Sequence, residues 1–530
     1  MNNVVLVGFM GSGKSTVGRM LAERTNRSFV DLDDDIAADA GRSISEIFAD
    51  EGEAGFRQRE AHSLRRALNK RDIIVAAGGG APLPDENWRQ MRDGNCVVSL
   101  MAEPAELARR LNGSNSRPLL QPDVPSAIAT LLPYRVGRYG AADLVIGTDG
   151  RKPLDVAYDI ESRLPRGGVH RMTVEVPGAS HEVTLGRRLP GLVAQTVKRM
   201  APSQPVVIVS DWVIMRQYLR PLEDALRSLD ISATPVSVPS GEPAKELEAL
   251  AAIYVALGKI GVDRQGCVIA LGGGTVGDVA GFAAATWMRG IRYIQMPTTL
   301  LAMIDSSIGG KTAINLPAGK NLVGAVRQPA AIFSDIEYLD SLPNEEYRAA
   351  LAEVVKAGMI VDRRFVEWLA ANIAGLLQRD NDNIDEAIRW ATRIKTDVVA
   401  RDPDETGERA VLNYGHTVGH ALERAAGYGK VRHGEAVAWG MEVAARISVM
   451  TGTCQPEDVT VQHMLLQQAG LLARRPSVKP LDLLSAMEHD KKSRAGKPRW
   501  VLLREVGRAE YGCEVDDAIV WMALKEVLGI

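Results

Sequence analysis

Short apolar runs alternate with helix-period stretches through the first 160 residues. VVLV at Val4–Val7 leads into a glycine-rich turn and the amphipathic stretch TVGRMLAER; further apolar runs fall near Phe29–Leu32, Ile73–Ala76 and Cys96–Leu100. Strands that alternate with amphipathic helices predict a parallel sheet with helices on both faces. The pattern closes near Ile160. Residues 161–171, ESRLPRGGVHR, mix Pro, Gly and Arg with little apolar content and read as a linker. MTVEVP and HEVTLG then alternate with period two, as a hairpin does, and a second α/β run begins at PVVIVSD. From about Glu345 onward helix-period patterns dominate. No repeat of fixed period is present. The expected division is an α/β domain over 1–160, a linker over 161–171, a second α/β domain over 172–335 and an all-helical domain over 336–530.

Length agrees with several cores, because 530 residues exceed what one core supports. A net charge of −3 offers no basic excess to neutralise phosphates, so neither nucleic acid nor a membrane surface is expected as partner. Cys96, Cys267, Cys454 and Cys513 are far apart and form no CxxC, which points to thiols in a reducing compartment. The chain runs from MNN directly into a strand and holds no apolar run of about 18 residues. A cytoplasmic protein is expected.

GFMGSGKST, Gly8 to Thr16, fits GxxxxGK[ST] between a hydrophobic strand and a helix. Such a loop turns backbone N–H groups at Gly11, Ser12, Gly13 and Thr16 toward phosphates; Lys14 reaches the β and γ phosphates and the Ser15 hydroxyl ligates Mg²⁺. Other residues must choose among nucleotide chemistries. FVDLDDDI places Asp31 and Asp33 at the end of the next strand, GEAGFRQRE supplies Arg57, and AAGGGAP ends a strand in Gly78, Gly79 and Gly80. NSRPLL carries Arg117 in a polar, lid-like loop, and PYRVGRYGAAD supplies Arg135. An aspartate and two arginines beside a phosphate cradle suit a small hydroxylated anion. Arginine grips its carboxylate in two places, while aspartate accepts its hydroxyl proton. Together GFMGSGKSTVG, DLD, GRSISEIF, GExxFRxxE, GGG, RPLL and RxxxY resemble shikimate kinase over essentially all of residues 1–160. The resemblance implies a nucleoside-monophosphate-kinase-like parallel sheet and ATP-dependent phosphorylation of the shikimate 3-hydroxyl. It implies that Asp33, Arg57, Gly79, Gly80 and Arg135 hold shikimate, with Asp33 orienting the attacking hydroxyl. Arg117 becomes the lid arginine on the ATP side, joining Lys14 and Mg²⁺ in neutralising the transferred phosphoryl group.

In the second unit LGGGTVGDVAGF, from Leu271, follows the apolar strand CVIA, so a pyrophosphate can lie on the helix N-terminus although the GxGxxG spacing is absent. PSGEPAK and MPTTLLAMIDSS supply further loops after strands, and SSIGGKTAINLPAGKN adds Lys311, Lys320 and Asn321. LAEVVKAG puts Glu353 and Lys356 one turn apart on a helix face. Three of eight histidines, His416, His420 and His433, fall within eighteen residues. Spacing leaves open which of them bind a metal. Thr417 follows His416, so HExxH and a peptidase are excluded. Histidine and glutamate without cysteine suit a catalytic Zn²⁺ with an open position. Lys395, Glu405, Arg409, Asn413, Lys491, Lys492 and Arg494 follow, and the cations Arg289, Lys311, Lys356, Lys395 and Arg409 suit a phosphate-bearing acid better than a neutral alcohol. A dinucleotide, a metal and several lysines imply a phosphorylated hydroxy substrate.

SGEPAK, GGGTVGDVAGFAA, PTTLLAMIDSSIGGKTAIN, LAEVVKAG, LNYGHTVGHALE, HGEAVAWGM and DKK resemble 3-dehydroquinate synthase over about residues 172–530. That resemblance implies conversion of 3-deoxy-D-arabino-heptulosonate 7-phosphate to 3-dehydroquinate and phosphate, with NAD⁺ regenerated in each turnover. It implies Glu353, His416 and His433 as ligands of Zn²⁺ or Co²⁺. NAD falls to Ser240, Gly241, Glu242, Pro243, Ala244, Lys245, Gly274, Thr275, Val276, Gly277, Asp278, Thr298, Thr299, Lys320, Tyr338, Leu339, Asp340 and Ser341. The heptulosonate phosphate falls to Arg289, Asp305, Lys311, Asn321, Lys356, Lys395, Arg409, Asn413 and one of Lys491 or Lys492. Glu405 and His420 become acid–base groups, and Lys356 joins them in the catalytic set. A homodimer through the synthase unit is expected. Two other readings compete: a kinase fused to a metal-dependent polyol or alcohol dehydrogenase, and a synthase carrying a degenerate, non-catalytic P-loop module.

Overall fold

The computed structural model describes residues 3–529 apart from 113–122, 202–203, 406, 428–429 and 489–498. The first unit is built on β1 (Val4–Val7), β2 (Ser28–Asp31), β3 (Ile73–Ala76), β4 (Cys96–Met101) and β5 (Leu144–Gly147). They form one parallel sheet in the order β2-β3-β1-β4-β5. Successive side chains leave a strand on opposite faces, so the continuous apolar run of β1 serves two cores. Val4 and Leu6 pack toward the helices Lys14–Thr25 and Pro153–Arg163, and Val5 and Val7 toward Leu64, Trp88, Leu107 and Tyr139. Each fully buried aliphatic side chain contributes roughly 1.5–3 kcal/mol.

The second unit begins with β6 (Arg166–Val174) and β7 (His181–Arg187), an antiparallel pair, as the period-two pattern predicts. β8 (Val206–Asp211), β9 (Ala233–Val238), β10 (Cys267–Gly272) and β11 (Arg292–Pro297) follow, then β12 (Lys311–Leu316), β13 (Gly319–Val326) and β14 (Ala331–Asp335). The main sheet runs β6-β7-β14-β11-β10-β8-β9, parallel from β7 onward. Its parallel strands therefore end together at one edge, where ligands of open α/β sheets bind.

Three expectations change. The stretch 161–171 is not a free linker: the helix Pro153–Arg163 ends and β6 begins at Arg166, leaving two residues between them. Its few apolar residues suffice because Leu164 and Val169 are both buried. The lysine-bearing loop after Ser307 is the hairpin β12–β13, turned at residues 317–318. The C-terminal part is not all helical, because β15 (Trp500–Glu505) and β16 (Arg508–Cys513) form a second hairpin whose Trp500 and Leu502 cover the helix His433–Met450. Among the described residues no helix is long and apolar enough to cross a membrane.

Candidate functional site

In the first unit the loop after β1 carries Gly8, Gly11 and Gly13 at φ 143, 80 and 98°, so the backbone curls before Lys14 opens its helix. Lys14 Nζ donates to the carbonyls of Gly8 and Phe9 at 3.0 and 3.1 Å, folded over that cradle. Ser15 Oγ donates to Asp31 Oδ2 at 2.5 Å, which sets a hydroxyl and a carboxylate together at the mouth. Asp31 also caps the helix Leu32–Ala40 by accepting from Asp33 N at 3.1 Å.

Asp33, Arg57, Gly79, Gly80 and Arg135 converge on the loop after β3. A Cβ at Gly80 would overlap the Arg57 guanidinium; one at Gly79 would stand 3.4 Å from Arg135, and one at Gly78 3.3 Å from Asp33 Oδ1. The sequence reading missed Glu60. It is fully buried and holds Arg57 at 2.7 Å, and burial pushes its carboxyl above the ordinary range against the pull of Arg57. Its signal was the i, i+3 spacing from Arg57. Tyr139 Oη, also missed, donates to the Gly79 carbonyl at 2.5 Å. Arg117 lies outside the described residues.

In the second unit the expected dinucleotide residues line the shared edge of the sheet. Ser240, Gly241, Glu242, Pro243, Ala244 and Lys245 follow β9, and Gly274, Thr275, Val276, Gly277 and Asp278 open the helix after β10. Thr298 and Thr299 follow β11, and Tyr338, Leu339, Asp340 and Ser341 follow β14. Tyr338 and Leu339 are buried in the core, so their side chains support the loop. Lys245 forms short contacts with both Asp278 and Asn321, while Lys320 pairs with Glu242 at 3.3 Å. Thr298 Oγ1 and Ser306 Oγ are buried without a hydrogen-bond partner, Ser306 directly over Gly274. Buried hydroxyls are normally paired. Two unpaired ones at a helix N-terminus fit an anionic ligand such as a dinucleotide pyrophosphate.

Glu353 comes from the helix Asn344–Val361, His416 opens the helix His416–Ala426, and His433 opens the helix His433–Met450. One ligand atom from each lies within 4.8 Å of the others. Glu353 Oε1 stands 3.6 Å from His416 Nε2 and 3.8 Å from His433 Nε2, and is buried with no hydrogen-bond partner. His416 Nδ1 faces the Tyr414 carbonyl at 3.2 Å and His433 Nδ1 faces Glu423 Oε2 at 3.1 Å. Those oxygens accept only, so each Nδ1 donates, and in the neutral ring each Nε2 carries the lone pair. Two lone pairs and an orphaned carboxylate oxygen facing one another fit a divalent cation. Burial alone would lower the His433 pKa; the hydrogen bond and charge of Glu423, with Glu353 and Asp305, outweigh it and raise it. His420 is more exposed, its ring 5.2 Å from that of His416. Glu423 was missed, although it lies three residues past His420 on the same helix face.

The helices pass one another at glycines. A Cβ at Gly434 would overlap the Ala349 carbonyl oxygen, and one at Gly440 that of Gly415. Beside the triad a cavity of about 20 Å³, room for one water, is lined by Asp305, Glu353, Lys356, Lys395 and Leu412. Lys356 Nζ meets Glu353 Oε2 and the Leu412 carbonyl, each at 2.5 Å, and Lys395 meets Asp305 at 2.5 Å. Burial works against the Asp305 charge, yet Lys395 and Lys356 hold its pKa below the usual carboxylate range. Lys311 pairs with Glu405, whose other oxygen meets Asn413 Nδ2 at 3.5 Å, and Arg409 donates to the carbonyls of Pro403 and Gly309. Arg289 is the exception. It is exposed past the C-terminal end of the helix Gly274–Thr286, and 13 residues put it about 20 Å from the loop that opens that helix. Lys491 and Lys492 lie outside the described residues.

Residues 10–165 match the family model of shikimate kinase, residues 235–349 that of the 3-dehydroquinate synthase N-terminal domain and residues 350–493 that of its C-terminal domain. A 3-dehydroquinate synthase of Xanthomonas campestris pv. campestris (strain 8004) is 44% identical over 359 residues, 66% of this chain and 96% of that protein. One of Acidithiobacillus ferrooxidans (strain ATCC 53993 / BNL-5-31) is 44% identical over 321 residues, 61% of this chain and 88% of that protein. Among solved structures, ValA (2-epi-5-epi-valiolone synthase) from Streptomyces hygroscopicus subsp. jinggangensis 5008, with NAD⁺ and Zn²⁺ bound, superposes with a TM-score of 0.60 at 25% identity, covering 66% of this chain and 98% of its own. A 2-deoxy-scyllo-inosose synthase complexed with carbaglucose-6-phosphate, NAD⁺ and Co²⁺ gives 0.60 at 25%, covering 68% and 100%.

Proposed function

The chain belongs to the 3-dehydroquinate synthase family and carries a shikimate kinase domain ahead of it, and from that premise we propose that one polypeptide performs both reactions. Phosphoryl transfer from MgATP to the shikimate 3-hydroxyl is assigned to residues 1–160. Conversion of 3-deoxy-D-arabino-heptulosonate 7-phosphate to 3-dehydroquinate and phosphate is assigned to residues 172–335 and 336–530. The observation that carries the second assignment is the orphaned, buried Glu353 Oε1 between two histidine Nε2 atoms, beside a cavity that Lys356 and Lys395 line. NAD⁺ and Zn²⁺ or Co²⁺ in the two structural relatives support the same cofactors here.

In the kinase unit Arg57 and Arg135 hold the carboxylate of shikimate against the Gly79–Gly80 backbone, and Asp33 takes the hydroxyl proton. Ser15 and Asp31 would hold Mg²⁺. Catalysis of this kind is mostly positioning and charge neutralisation, and Lys14 supplies the nearest cation to the cradle.

In the synthase unit Glu353, His416 and His433 would hold the metal, and the loops after β9, β10, β11 and β14 the dinucleotide. When bound, the two supply polarisation of a substrate hydroxyl and reversible hydride removal from its carbon. The chain's own groups do the rest. Lys356, Lys395 and Arg409 bind and orient the anionic substrate, exchanging their internal partners Glu353, Asp305 and Gly309 for its oxygens. His420 and Glu405 move protons, and Lys311 and Asn413 orient the Glu405 carboxylate. A homodimer and a cytoplasmic location are part of the same proposal.

Paired assays on the purified chain test it. Heptulosonate phosphate with Zn²⁺ and trace NAD⁺ should release phosphate far in excess of NAD⁺, and shikimate with MgATP should release ADP. Net NADH formed one for one with phosphate would overturn the synthase assignment in favour of a dehydrogenase. Absence of ADP would leave a non-catalytic P-loop module.

A further inference from the structure

The strand ends of the kinase sheet opposite its P-loop are covered by the synthase unit. Asp143, just before β5, accepts from Val97 N in β4 at 2.7 Å through Oδ2, and its Oδ1 forms an ion pair with Arg171 Nη2 in β6 at 2.7 Å. The two side chains are 4% and 8% exposed. Arg171 also donates to the carbonyls of Arg92 and Asn95, at 2.9 and 3.1 Å. Arg92 crosses in the other direction to Glu182 of β7 at 3.1 Å. Arg199 donates to the Ala142 carbonyl at 2.7 Å, and Gly94 bridges Val169 backbone to backbone. Around these polar contacts one apolar core runs unbroken from Leu144, Ile146, Val156 and Ile160 to Leu185, Leu189 and Val193.

A flexible tether between two enzymes needs none of this. Charges are buried here at the cost of desolvation, which is tolerable only while both partners are in place. We infer that the Asp143–Arg171 pair and its surrounding core join the kinase and synthase units into one cooperatively folding body, the kinase surface below β4 and β5 being a docking face for β6, β7 and the helix Pro190–Met200. The docked face lies at the N-terminal ends of the kinase strands, so the P-loop edge stays open to ligands.

Native-state hydrogen exchange on the full chain reads the coupling, with β3 in the kinase unit and β10 in the synthase unit as reporters, neither of which carries a residue of the polar contacts around Asp143 and Arg171. Arg171→Ala strands Asp143 without its partner. Amides of β3 and β10 should then exchange faster by a common factor of about 100. Asp143→Asn, made from the kinase side, should accelerate the same two strands, and it serves as the reporter variant if Arg171→Ala does not fold. The double variant Asp143→Asn/Arg171→Met, with both charges removed, should recover most of the loss. Acceleration confined to the unit that carries the substitution would overturn the inference, as would purely additive effects in the double variant.

Discussion

His433 turns its Nδ1 to the Glu423 carboxylate at 3.1 Å, and by that contact its Nε2 is left to face Glu353. A carboxylate behind a ligating imidazole fixes its tautomer and raises its basicity. Glu423→Ala should therefore weaken metal binding about 10- to 100-fold, with Glu423→Gln intermediate because the amide oxygen still accepts. Competition against a chelator measures it; wild-type affinity in Glu423→Ala would remove Glu423 from the site.

His416 and His420 sit one turn apart and look alike in sequence, yet they should answer mutation differently. His416→Ala should lose bound metal. His420→Ala should keep it and lose turnover by roughly 10² to 10⁴. Metal content by elemental analysis beside the rate of phosphate release separates the two.

The two activities should also be separable within the intact chain. Lys14→Met should lower kinase turnover at least about a hundredfold while phosphate release by the synthase unit stays at the wild-type rate. Prolonged chelation followed by MgATP should do the reverse, leaving ADP formation intact.

Asp335 closes β14 and accepts from Leu189 N, Arg188 N and Glu337 N at 2.7, 3.1 and 3.2 Å. Burial pushes its pKa up to about 7 despite those donors. A carboxyl that holds its proton more tightly when folded than when unfolded stabilises the fold while protonated. That contribution is whole below about pH 4 and is lost as pH rises through about 7. The melting temperature should fall across this window more steeply in the wild-type chain than in Asp335→Asn; parallel curves would refute the assignment.

Much of this was legible in the residues. Apolar runs and glycine turns located both parallel sheets, because strands buried on both faces must be continuously apolar. The phosphate cradle was visible because its chemistry restricts residue type, whereas Glu353, His416 and His433 were singled out among the candidate ligands only by the resemblance to 3-dehydroquinate synthase. Contacts across long sequence distances were less visible. Glu60 and Glu423 read as ordinary helical acids until Arg57 and His433 were seen beside them. The hairpins β12–β13 and β15–β16 were hidden, the first by its lysines and glycines, the second by the helices around it. Arg289, assigned by family pattern, lies exposed past the end of its helix and outside the cluster that this chain forms by itself.

Gly434 and Gly440 let three helices meet backbone to backbone around Glu353, His416 and His433. Side-chain rotamers can adjust by small hops, but peptide planes in contact cannot. The gap offered to an ion is thus gauged by main-chain spacing, like a calliper whose jaws are set by its frame. One added methyl group at residue 434, which ligates nothing itself, would widen those jaws and alter which ion they can grip.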